Sequence, residues 1–389
     1  MENGRIESKI IKRSRIGFYI DYLLNIIDLD FMKVSEEFKN RIDEVRLNDA
    51  FKAADFLAEN FLKDGRFNVK ESWGPEGVLY LAESSWALMD AYRISRNVHY
   101  MEAVQSILNE LRRLQKKSGG WAIELGKNGV GFKVTEEERN DSIEKEDPPT
   151  SAAMLRTISE YYTLSGDNSY YDLGEKTFNY LMKMWDPKQG TFVDNQARKL
   201  LNLRSNPSSY HLFFLIGISA WKDYAPETVN RICPILLEFV KKTFESFDEN
   251  TMPLIYALHA ATLMDFCSDN YIHSIIKPRI DKHLINNENF RCNDLPGGYG
   301  HRDGLRGIVK SEAHMRSSAG IAIASKKYDL ISGTRIYRDT QKYIMIADWI
   351  DQMKGDGFYY EFEMLPERIK KGYGSPGQYL PIWWILGQM

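Results

Sequence analysis

The sequence predicts an all-α protein, a ring of about six helical hairpins with only short strands in its loops. Three observations predict this fold: a two-helix repeat that recurs along the chain, weakly charged apolar segments, and long, varied connections between repeats. The chain has 389 residues, of which 43% are apolar and 27% charged. That composition is typical of a soluble globular protein and excludes a disordered chain or a fibrous rod.

The charge balance is close to neutral, with 51 basic and 54 acidic residues and a net charge of −3. Such a balance gives no general attraction to nucleic acid or to an anionic membrane, so neither is expected as a partner. No apolar run is long enough for a transmembrane helix. Asp21 and Asp28 interrupt the apolar N-terminal stretch, which argues against a signal peptide and predicts a cytoplasmic protein.

Cofactor motifs are missing from the sequence. The three cysteines, Cys233, Cys267 and Cys292, are scattered and show no metal-ligand spacing, so no disulfide framework and no metal site are expected. Neither a GxxxxGK[ST] loop nor a GxGxxG turn occurs, which leaves no support for a nucleotide cofactor. The sequence therefore predicts no cofactor, and it leaves the oligomeric state open.

The internal repeat becomes visible when residues 86–121 are shifted by 70 positions, without a gap. The pairs that then coincide are Tyr92 and Tyr162, Ser95 and Ser165, Tyr100 and Tyr170, Leu111 and Leu181, and Gly120 and Gly190. A third copy lies near the C-terminus, where Tyr337 precedes Gly357 by the same 20 positions as in the other two copies. The chain is thus built from one recurring unit.

Each unit consists of two predicted helices. The first helix is apolar and ends at a turn such as Ser165-Gly166-Asp167. The second begins near the repeat tyrosine, carries apolar residues at helical spacing, and stops at a glycine followed by an aromatic residue, as at Gly190. Weaker markers at Gly65 and Gly298 bring the expected number of hairpins to six, one of them without its glycine.

We expect the hairpins to close into a ring, an (α/α)6 toroid, rather than to stack as an open solenoid. The candidate inner helices are small and apolar, as a helix surrounded on several sides requires: 152–155, 212–217 and 318–324. The linkers are long and unequal, in contrast to the uniform links of solenoids: 122–149, 193–207 and 299–311. Residues 1–50 are predicted as an N-terminal helical extension that packs on the toroid, and 51–389 as the toroid domain.

Two motifs carry a resemblance to known families. The Tyr-x-x-Ser-Gly-Asp-x-x-Tyr run at Tyr162–Tyr170, with the helix and Gly-aromatic turn after it, resembles six-hairpin glycosidases and their polysaccharide-lyase and sugar-epimerase relatives. Leu114-Gln115 followed by Gly119-Gly120-Trp121 is similar to the repeat of terpenoid cyclases and protein prenyltransferases. The resemblance covers residues 50–389 and implies an α/α toroid. Because these are packing motifs, the repeat tyrosines and glycines are expected in core and turn positions.

The long loops and the first turns of the inner helices are expected to line one funnel. Its densest group of polar residues runs from Gly297 to Arg316. His301, Glu312 and His314 are the catalytic candidates, because a histidine beside a carboxylate is a good general base. Three arginines are the candidates for binding an acidic group of the substrate: Arg302, Arg306 and Arg316. Glu312 and Arg316 are four residues apart, which predicts a shared helix face.

Further candidates lie outside that segment. Tyr210 and His211 follow a serine-rich stretch that suits a helix start, and they complete the predicted catalytic set. The aromatic residues outside the repeat positions are expected to contact a sugar: Trp73, Tyr80, Tyr299 and Tyr373. Glycoside hydrolysis needs a pair of carboxylates, for which the candidates are Glu76, Glu83, Asp147, Asp303, Glu361 and Glu363.

The function predicted from these residues and from the resemblance is that of a carbohydrate-active enzyme using acid/base chemistry on a small or acidic saccharide or oligosaccharide. Glycoside hydrolysis, polysaccharide elimination and sugar epimerisation are all open. One alternative is a terpenoid-cyclase-like or prenyltransferase-like protein acting on an isoprenoid, although the sequence contains no DDxxD or DxDD motif. Another is a non-catalytic helical-repeat binding protein.

Overall fold

The computed structural model describes residues 43–62, 78–121, 146–192, 211–243, 252–264, 270–286, 292, 295–303, 307–309, 311–372 and 374–387. Within these ranges the chain is mainly helical. None of the helices described there is both long and apolar enough to cross a membrane. Most of the predicted N-terminal extension lies outside these ranges and stays a prediction.

The inner wall of the fold consists of six helices: α2 (Val78–Ser95), α4 (Pro148–Ser165), α6 (His211–Ala220), α8 (Met252–Leu263), α10 (Met315–Ser332) and α12 (Ser375–Leu386). Each packs against the next, and α12 packs against α2. The inner wall is therefore a closed ring, as the sequence predicts. The apolar segments at 152–155, 212–217 and 318–324 all fall within these inner helices.

The outer helices surround this ring: α1 (Leu47–Phe61), α3 (Val98–Leu114), α5 (Tyr171–Met184), α7 (Pro226–Thr243), α9 (Lys277–Asp281) and α11 (Gln341–Gln352). Two π-helical turns, Ile272–Ile276 and Lys282–Asn286, flank α9. An outer helix buries one apolar face only, whereas α6 of the inner ring is buried on all sides along most of its length. The sequence predicts this difference, because the inner-helix segments carry little charge and the outer helices carry charged residues on one face.

Short antiparallel strands occupy the connections. They are β1 (Trp185–Asp186) with β2 (Thr191–Phe192), β3 (His301–Asp303) with β4 (Gly307–Val309), and β5 (Glu312–His314) with β6 (Phe362–Met364) and β7 (Ile369–Lys371). The long connections join outer helices to the N-terminal ends of inner helices, and the short ones leave from their C-terminal ends. Since successive inner helices run in the same direction, their N-terminal ends all lie at one end of the ring, here called the mouth.

The repeat tyrosines tie neighbouring outer helices together. The hydroxyl of Tyr100 donates a 2.8 Å hydrogen bond to Asp55, and that of Tyr337 donates one of 2.6 Å to Asp281. The Tyr170 hydroxyl bonds Asn109 at 2.7 Å in the same way. All three tyrosines are buried. Each one lies near the start of an outer helix and reaches the preceding outer helix, which explains why tyrosine recurs in the repeat.

The Ser-Gly turns end the inner helices as the repeat predicts. Gly166 follows α4 with φ at 72°, and Gly333 follows α10 with φ at 67°. This left-handed conformation lets the backbone N–H reach back to a carbonyl of the last helical turn, and glycine adopts it without a steric penalty. The chain reverses at each of these turns, and the outer helix that follows, α5 or α11, packs back on the inner helix before it.

Candidate functional site

A cluster of buried and half-buried polar side chains lies at the mouth of the ring. Its members come from different elements: Tyr80 and Glu83 from α2, Tyr256 from α8, Arg316 from α10, Tyr379 from α12, and Glu361 from the residue before β6. The five helical residues all lie within the first two turns of their inner helices. The closed ring brings these turns together, although the residues are far apart in the sequence. We call this group the mouth cluster.

Hydrogen bonds and ring contacts connect the mouth cluster. The Tyr256 hydroxyl donates to Oε1 of Glu83. Nη1 of Arg316 donates to the Tyr80 hydroxyl at 3.0 Å, and its guanidinium carbon lies 5.0 Å from the centroid of the Tyr80 ring. Arginine thus contacts Tyr80 both through its hydroxyl and through its π-face, an arrangement that holds the cation in place.

Glu361 has the electrostatics of a proton-transfer group. Its side chain is buried, and burial raises its pKa from 4.5 to about 7, against the opposing effect of the Arg316 charge. No described residue donates a hydrogen bond to Oε2 of Glu361. A carboxyl group with a pKa near neutrality is present in both protonation states, so it can donate and accept protons.

Glu83, Tyr256 and Tyr379 of the mouth cluster are buried as well. Burial raises the pKa of Glu83, against the Arg316 charge and the Tyr256 and Tyr379 hydroxyls. Burial and the nearby Glu83 also raise the pKa values of both tyrosines well above 10, which keeps them neutral donors.

The Arg316 guanidinium stays charged. Although burial lowers its pKa, the opposing effects of Tyr80, Tyr379 and other neighbours raise it well above the ordinary value. The mouth cluster therefore contains a permanent cation next to a carboxyl group that titrates near neutrality.

Glu312 and His314 lie in β5, immediately before α10. His314 Nε2 is 3.5 Å from Glu312 Oε2, and the imidazole stacks on Phe362 with centroids 5.4 Å apart. The predicted helix face shared by Glu312 and Arg316 is wrong, because α10 begins only at Met315. Glu312 instead pairs with β6 in an extended backbone, so a spacing of four residues places the two side chains on different elements.

The structure places the other predicted site residues separately. His211 opens α6, is almost fully buried, and packs against Phe214 and Phe239 at ring distances of 5.7 and 5.2 Å. Tyr299 is buried, and its backbone N–H donates to Ser318 Oγ at 2.9 Å. For His301 and Arg302 the structure describes only the β3 backbone. Four candidates lie outside the described residues: Trp73, Tyr210, Arg306 and Tyr373.

The six candidate carboxylates divide into different roles. Asp147 caps α4 by accepting from the Thr150 backbone N–H at 3.1 Å. Glu363 accepts from Trp349 Nε1 at 2.9 Å and from Arg368 Nε at 2.8 Å, which makes it structural. Glu83 and Glu361 are the two in the mouth cluster. Glu76 and the Asp303 side chain lie outside the described parts.

Sequence reasoning missed Tyr256 and Tyr379 altogether, and it did not rank Glu83 or Glu361 above the other carboxylates. One signal was present for Glu83, which is the single charged residue in the first two turns of its inner helix. No comparable signal marks Tyr256 or Tyr379. Among the described residues, no three His, Cys, Asp or Glu side chains are placed to hold a metal ion.

An aromatic layer lies directly below the mouth cluster. The Trp86 ring is 6.3 Å from that of Trp383 and 6.4 Å from that of Phe213. Phe213 contacts Tyr256, and Trp383 contacts Tyr379, at centroid distances of 4.6 and 4.5 Å. These packed rings form the floor on which the polar residues of the mouth rest.

Comparison with known proteins identifies the fold. No family model matches the sequence. No curated protein is significantly similar to it. Solved structures do match: D-mannose isomerase has a TM-score of 0.64 and 12% identity, over 89% of this chain and 98% of that one. Cellobiose 2-epimerase from Bacillus thermoamylovorans has a TM-score of 0.61 and 11% identity, over 89% of this chain and 100% of that one.

A hydrolase shares the same architecture. Unsaturated glucuronyl hydrolase specific for heparin has a TM-score of 0.55 and 12% identity, over 89% of this chain and 96% of that one. At these identities the likeness concerns the fold. The chain therefore has the (α/α)6 toroid fold that its repeat predicts.

Proposed function

We propose that this chain is a carbohydrate-active enzyme that acts on a saccharide by acid/base chemistry, with Glu361, Glu83 and Arg316 at its reactive centre. One observation carries the proposal. Oε2 of Glu361 is buried in the mouth cluster, and no described residue forms a hydrogen bond with it. Buried polar atoms normally have partners, and each sugar hydroxyl both donates and accepts.

Glu361 is the proposed acid/base residue. A group that alternately donates and accepts a proton at neutral pH needs a pKa near 7, and the pKa of Glu361 is about 7. Glu83 accepts a hydrogen bond from the neutral Tyr256 hydroxyl, whereas no described residue donates one to Oε2 of Glu361. The two carboxyl groups therefore have different environments. Different environments are what assign an acid role and a base role to two groups of the same type.

Arg316 is the proposed electrostatic stabiliser. It is positioned on Tyr80 and lies near both Glu83 and Glu361, so it would stabilise negative charge that develops on a sugar oxygen. The His314–Glu312 pair, which immediately precedes Arg316 in the chain, is the second candidate base. These assignments leave hydrolysis, elimination and epimerisation as the possible reactions.

The fold supports a sugar as substrate. D-mannose isomerase, cellobiose 2-epimerase and a heparin-specific glucuronyl hydrolase are all named for saccharide substrates. An isoprenoid is less favoured, because the mouth cluster is charged and the aromatic rings below it are packed against one another. A cytoplasmic location agrees with Cys233 and Cys292, which are buried free thiols.

The test is a proton NMR assay of the full-length protein in D2O with D-mannose, cellobiose and an unsaturated uronyl disaccharide. Loss of the C2 proton signal would identify isomerisation or epimerisation, and new anomeric signals without loss of the C2 proton would identify hydrolysis. We expect turnover of at least one sugar that Glu361→Gln abolishes. Glu363→Gln is the matched control, since Glu363 is also buried but binds Trp349 and Arg368 instead.

Two outcomes would overturn the proposal. Saturable sugar binding without turnover, unchanged in Glu361→Gln, would identify a binding protein. Turnover of a prenyl diphosphate with none of any sugar would identify an isoprenoid enzyme.

A further inference from the structure

The backbone two residues before Glu361 forms hydrogen bonds with a single buried side chain. Gln378, in the first turn of α12, accepts a hydrogen bond from the Tyr359 N–H through Oε1 at 3.0 Å. Its Nε2 donates to the Tyr359 carbonyl at 2.7 Å, and the glutamine is fully buried. One side-chain amide thus satisfies both backbone polar groups of Tyr359, as a neighbouring β-strand would.

The next two residues are held by backbone hydrogen bonds. The Tyr360 N–H donates to the Met353 carbonyl at 2.9 Å, and the Glu361 N–H donates to the Gly372 carbonyl at 2.9 Å. Tyr359 differs from them, because its partner is a side chain. Removing the glutamine amide would therefore release the backbone directly ahead of the proposed acid/base residue.

The start of α12 lies close against the same backbone. A β-carbon on Gly377 would approach the Tyr359 carbonyl at 3.0 Å and the Glu361 backbone nitrogen at 3.4 Å. The glycine permits this close approach, and the adjacent Gln378 bonds the backbone at that point. The hydrogen bonds of Gln378 therefore set the distance between α12 and the Glu361 backbone.

Other groups of the mouth cluster are tied to this position. In α12, Tyr379 follows Gln378 directly. In α10, Arg316 follows Met315, and the Met315 N–H donates to the Glu361 carbonyl at 2.8 Å. Hydrogen bonds at or next to Glu361 thus determine where its carboxyl group lies relative to groups on both inner helices.

We propose that Gln378 is a positioning residue, which holds the Glu361 carboxyl group in place for proton transfer through its two hydrogen bonds to Tyr359. This inference rests on the proposed function of Glu361. Both bonds of Gln378 go to the backbone, so it acts through Glu361 and not on the substrate. A carboxylate would lack the donor, and an apolar side chain would leave the buried N–H and carbonyl without these partners. A reactive group needs to be held within about 0.5 Å of its productive position.

Gln378→Met tests the proposal, because methionine matches glutamine in length and removes both hydrogen bonds. We expect kcat for the sugar identified by the NMR assay to fall about 100-fold while KM stays nearly unchanged, since a displaced acid/base group affects the chemical step more than binding. The inflection near pH 7 in the profile of kcat/KM should move toward pH 4.5, because a loosened carboxyl group reaches water and burial no longer raises its pKa. A purely structural role would not move this inflection.

Gln115→Met is the matched control. Gln115 Nε2 donates to the Gly119 carbonyl at 3.0 Å and to the Leu173 carbonyl at 3.1 Å, so this amide also satisfies backbone groups. It lies at the end of α3 and bonds α5, and neither of these outer helices contributes a residue to the mouth cluster. The variant should lower Tm but leave kcat and the pH inflection as in the wild type.

Urea denaturation tests the link between Gln378 and Glu361 without a substrate. At pH 8, Glu361→Gln should stabilise the otherwise wild-type protein, because it removes a buried carboxylate. In a Gln378→Met background the same replacement should give little gain, since the carboxylate already reaches water. Loss of the gain in a protein that turns over no sugar would support the link while the proposed function fails.

The proposal is overturned if Gln378→Met leaves kcat and the pH inflection unchanged, if Gln115→Met causes the same loss of activity, or if Glu361→Gln gives an equal gain in both backgrounds. Gln378→Asn serves if methionine prevents folding. It retains an amide but is one methylene too short to keep both hydrogen bonds. It should change kcat and the inflection in the same directions, and wild-type values for both would equally overturn the proposal.

Discussion

Gly374 and Glu361 are packed so closely that a β-carbon on Gly374 would overlap Oε2 of Glu361. The backbone of Gly374 has φ at −56° and ψ at 160°, a conformation that any residue adopts. A side chain at this position would therefore displace the Glu361 carboxylate, whereas the turn itself would accept it. This contact fixes how near the α12 N-terminus can come to the proposed acid/base residue.

Gly374→Ala is expected to displace the Glu361 side chain and to lower kcat/KM by about 100-fold, the scale of a small misplacement of a reactive group. The measurement is steady-state turnover of the sugar identified by the NMR assay. Gly355→Ala is the comparison, because its β-carbon would meet the Phe358 ring and not Glu361. Equal loss of activity in both variants would contradict the assigned role of Glu361.

Glu361→Gln should stabilise the protein at pH 8 while it removes activity. The folded pKa of about 7 lies above the ordinary 4.5, so the folded state binds the proton more tightly than the unfolded chain. Stability from this group is present below pH 4.5 and is lost as pH rises through 7. The glutamine avoids that loss, which is about 3 kcal/mol at most.

Chemical denaturation at pH 8 and at pH 4.5 measures this difference. The gain should be present at pH 8 and vanish at pH 4.5. Glu363→Gln, which weakens the bonds to Trp349 and Arg368, should instead lower stability. A Glu361→Gln variant that is less stable than wild type at pH 8 would show that Glu361 is a structural anion.

The wild-type pH profile of kcat/KM should contain an inflection near pH 7 that Glu361→Gln removes, because that profile reports the essential groups of the free enzyme. The direction of the inflection identifies the role of Glu361. Activity that falls above pH 7 indicates a general acid, and activity that falls below it indicates a general base. A profile that is flat between pH 6 and 8 would exclude Glu361 from both roles.

Arg316→Lys should lower kcat by 100-fold or more while the fold is retained. Lysine keeps the charge but loses the planar guanidinium that both stacks on Tyr80 and donates to its hydroxyl. Arg113→Lys is the control, because Arg113 pairs with Glu110 on the exposed face of an outer helix. Rapid-quench turnover checks the prediction. Full activity in Arg316→Lys would mean that only a point charge is needed there.

The repeat tyrosines should differ in their contribution to stability. Tyr337→Phe and Tyr100→Phe each remove a hydrogen bond to a carboxylate, expected to cost about 1.5–3 kcal/mol. Tyr170→Phe removes one to the neutral amide of Asn109, which should cost about 0.5–1.5 kcal/mol. Urea denaturation of the three variants measures this order. Three equal losses would indicate that ring packing, and not the hydroxyl, is what the repeat preserves.

The hairpins were predictable because their determinants are local. A tyrosine at the start of an outer helix and a glycine after an inner one lie within a single repeat, so the sequence shows them at a constant separation. The contrast between Leu212–Gly217, apolar throughout, and the mixed composition of the outer helices likewise reflects burial on all sides against burial on one face. These patterns determine the helix order and favour a closed ring.

The site was not predictable in the same way, because it depends on distances between residues far apart in the chain. Glu83 and Glu361 were two of six carboxylates with no visible difference in the sequence. Only closure of the ring buries both of them beside Arg316 and raises the pKa of Glu361. The sequence by itself determined the repeating hairpin, since that is a matter of local conformation and periodic burial. The tertiary structure alone decided which polar residues share a dry environment, and burial there is what turns an ordinary carboxyl group into a candidate acid/base residue.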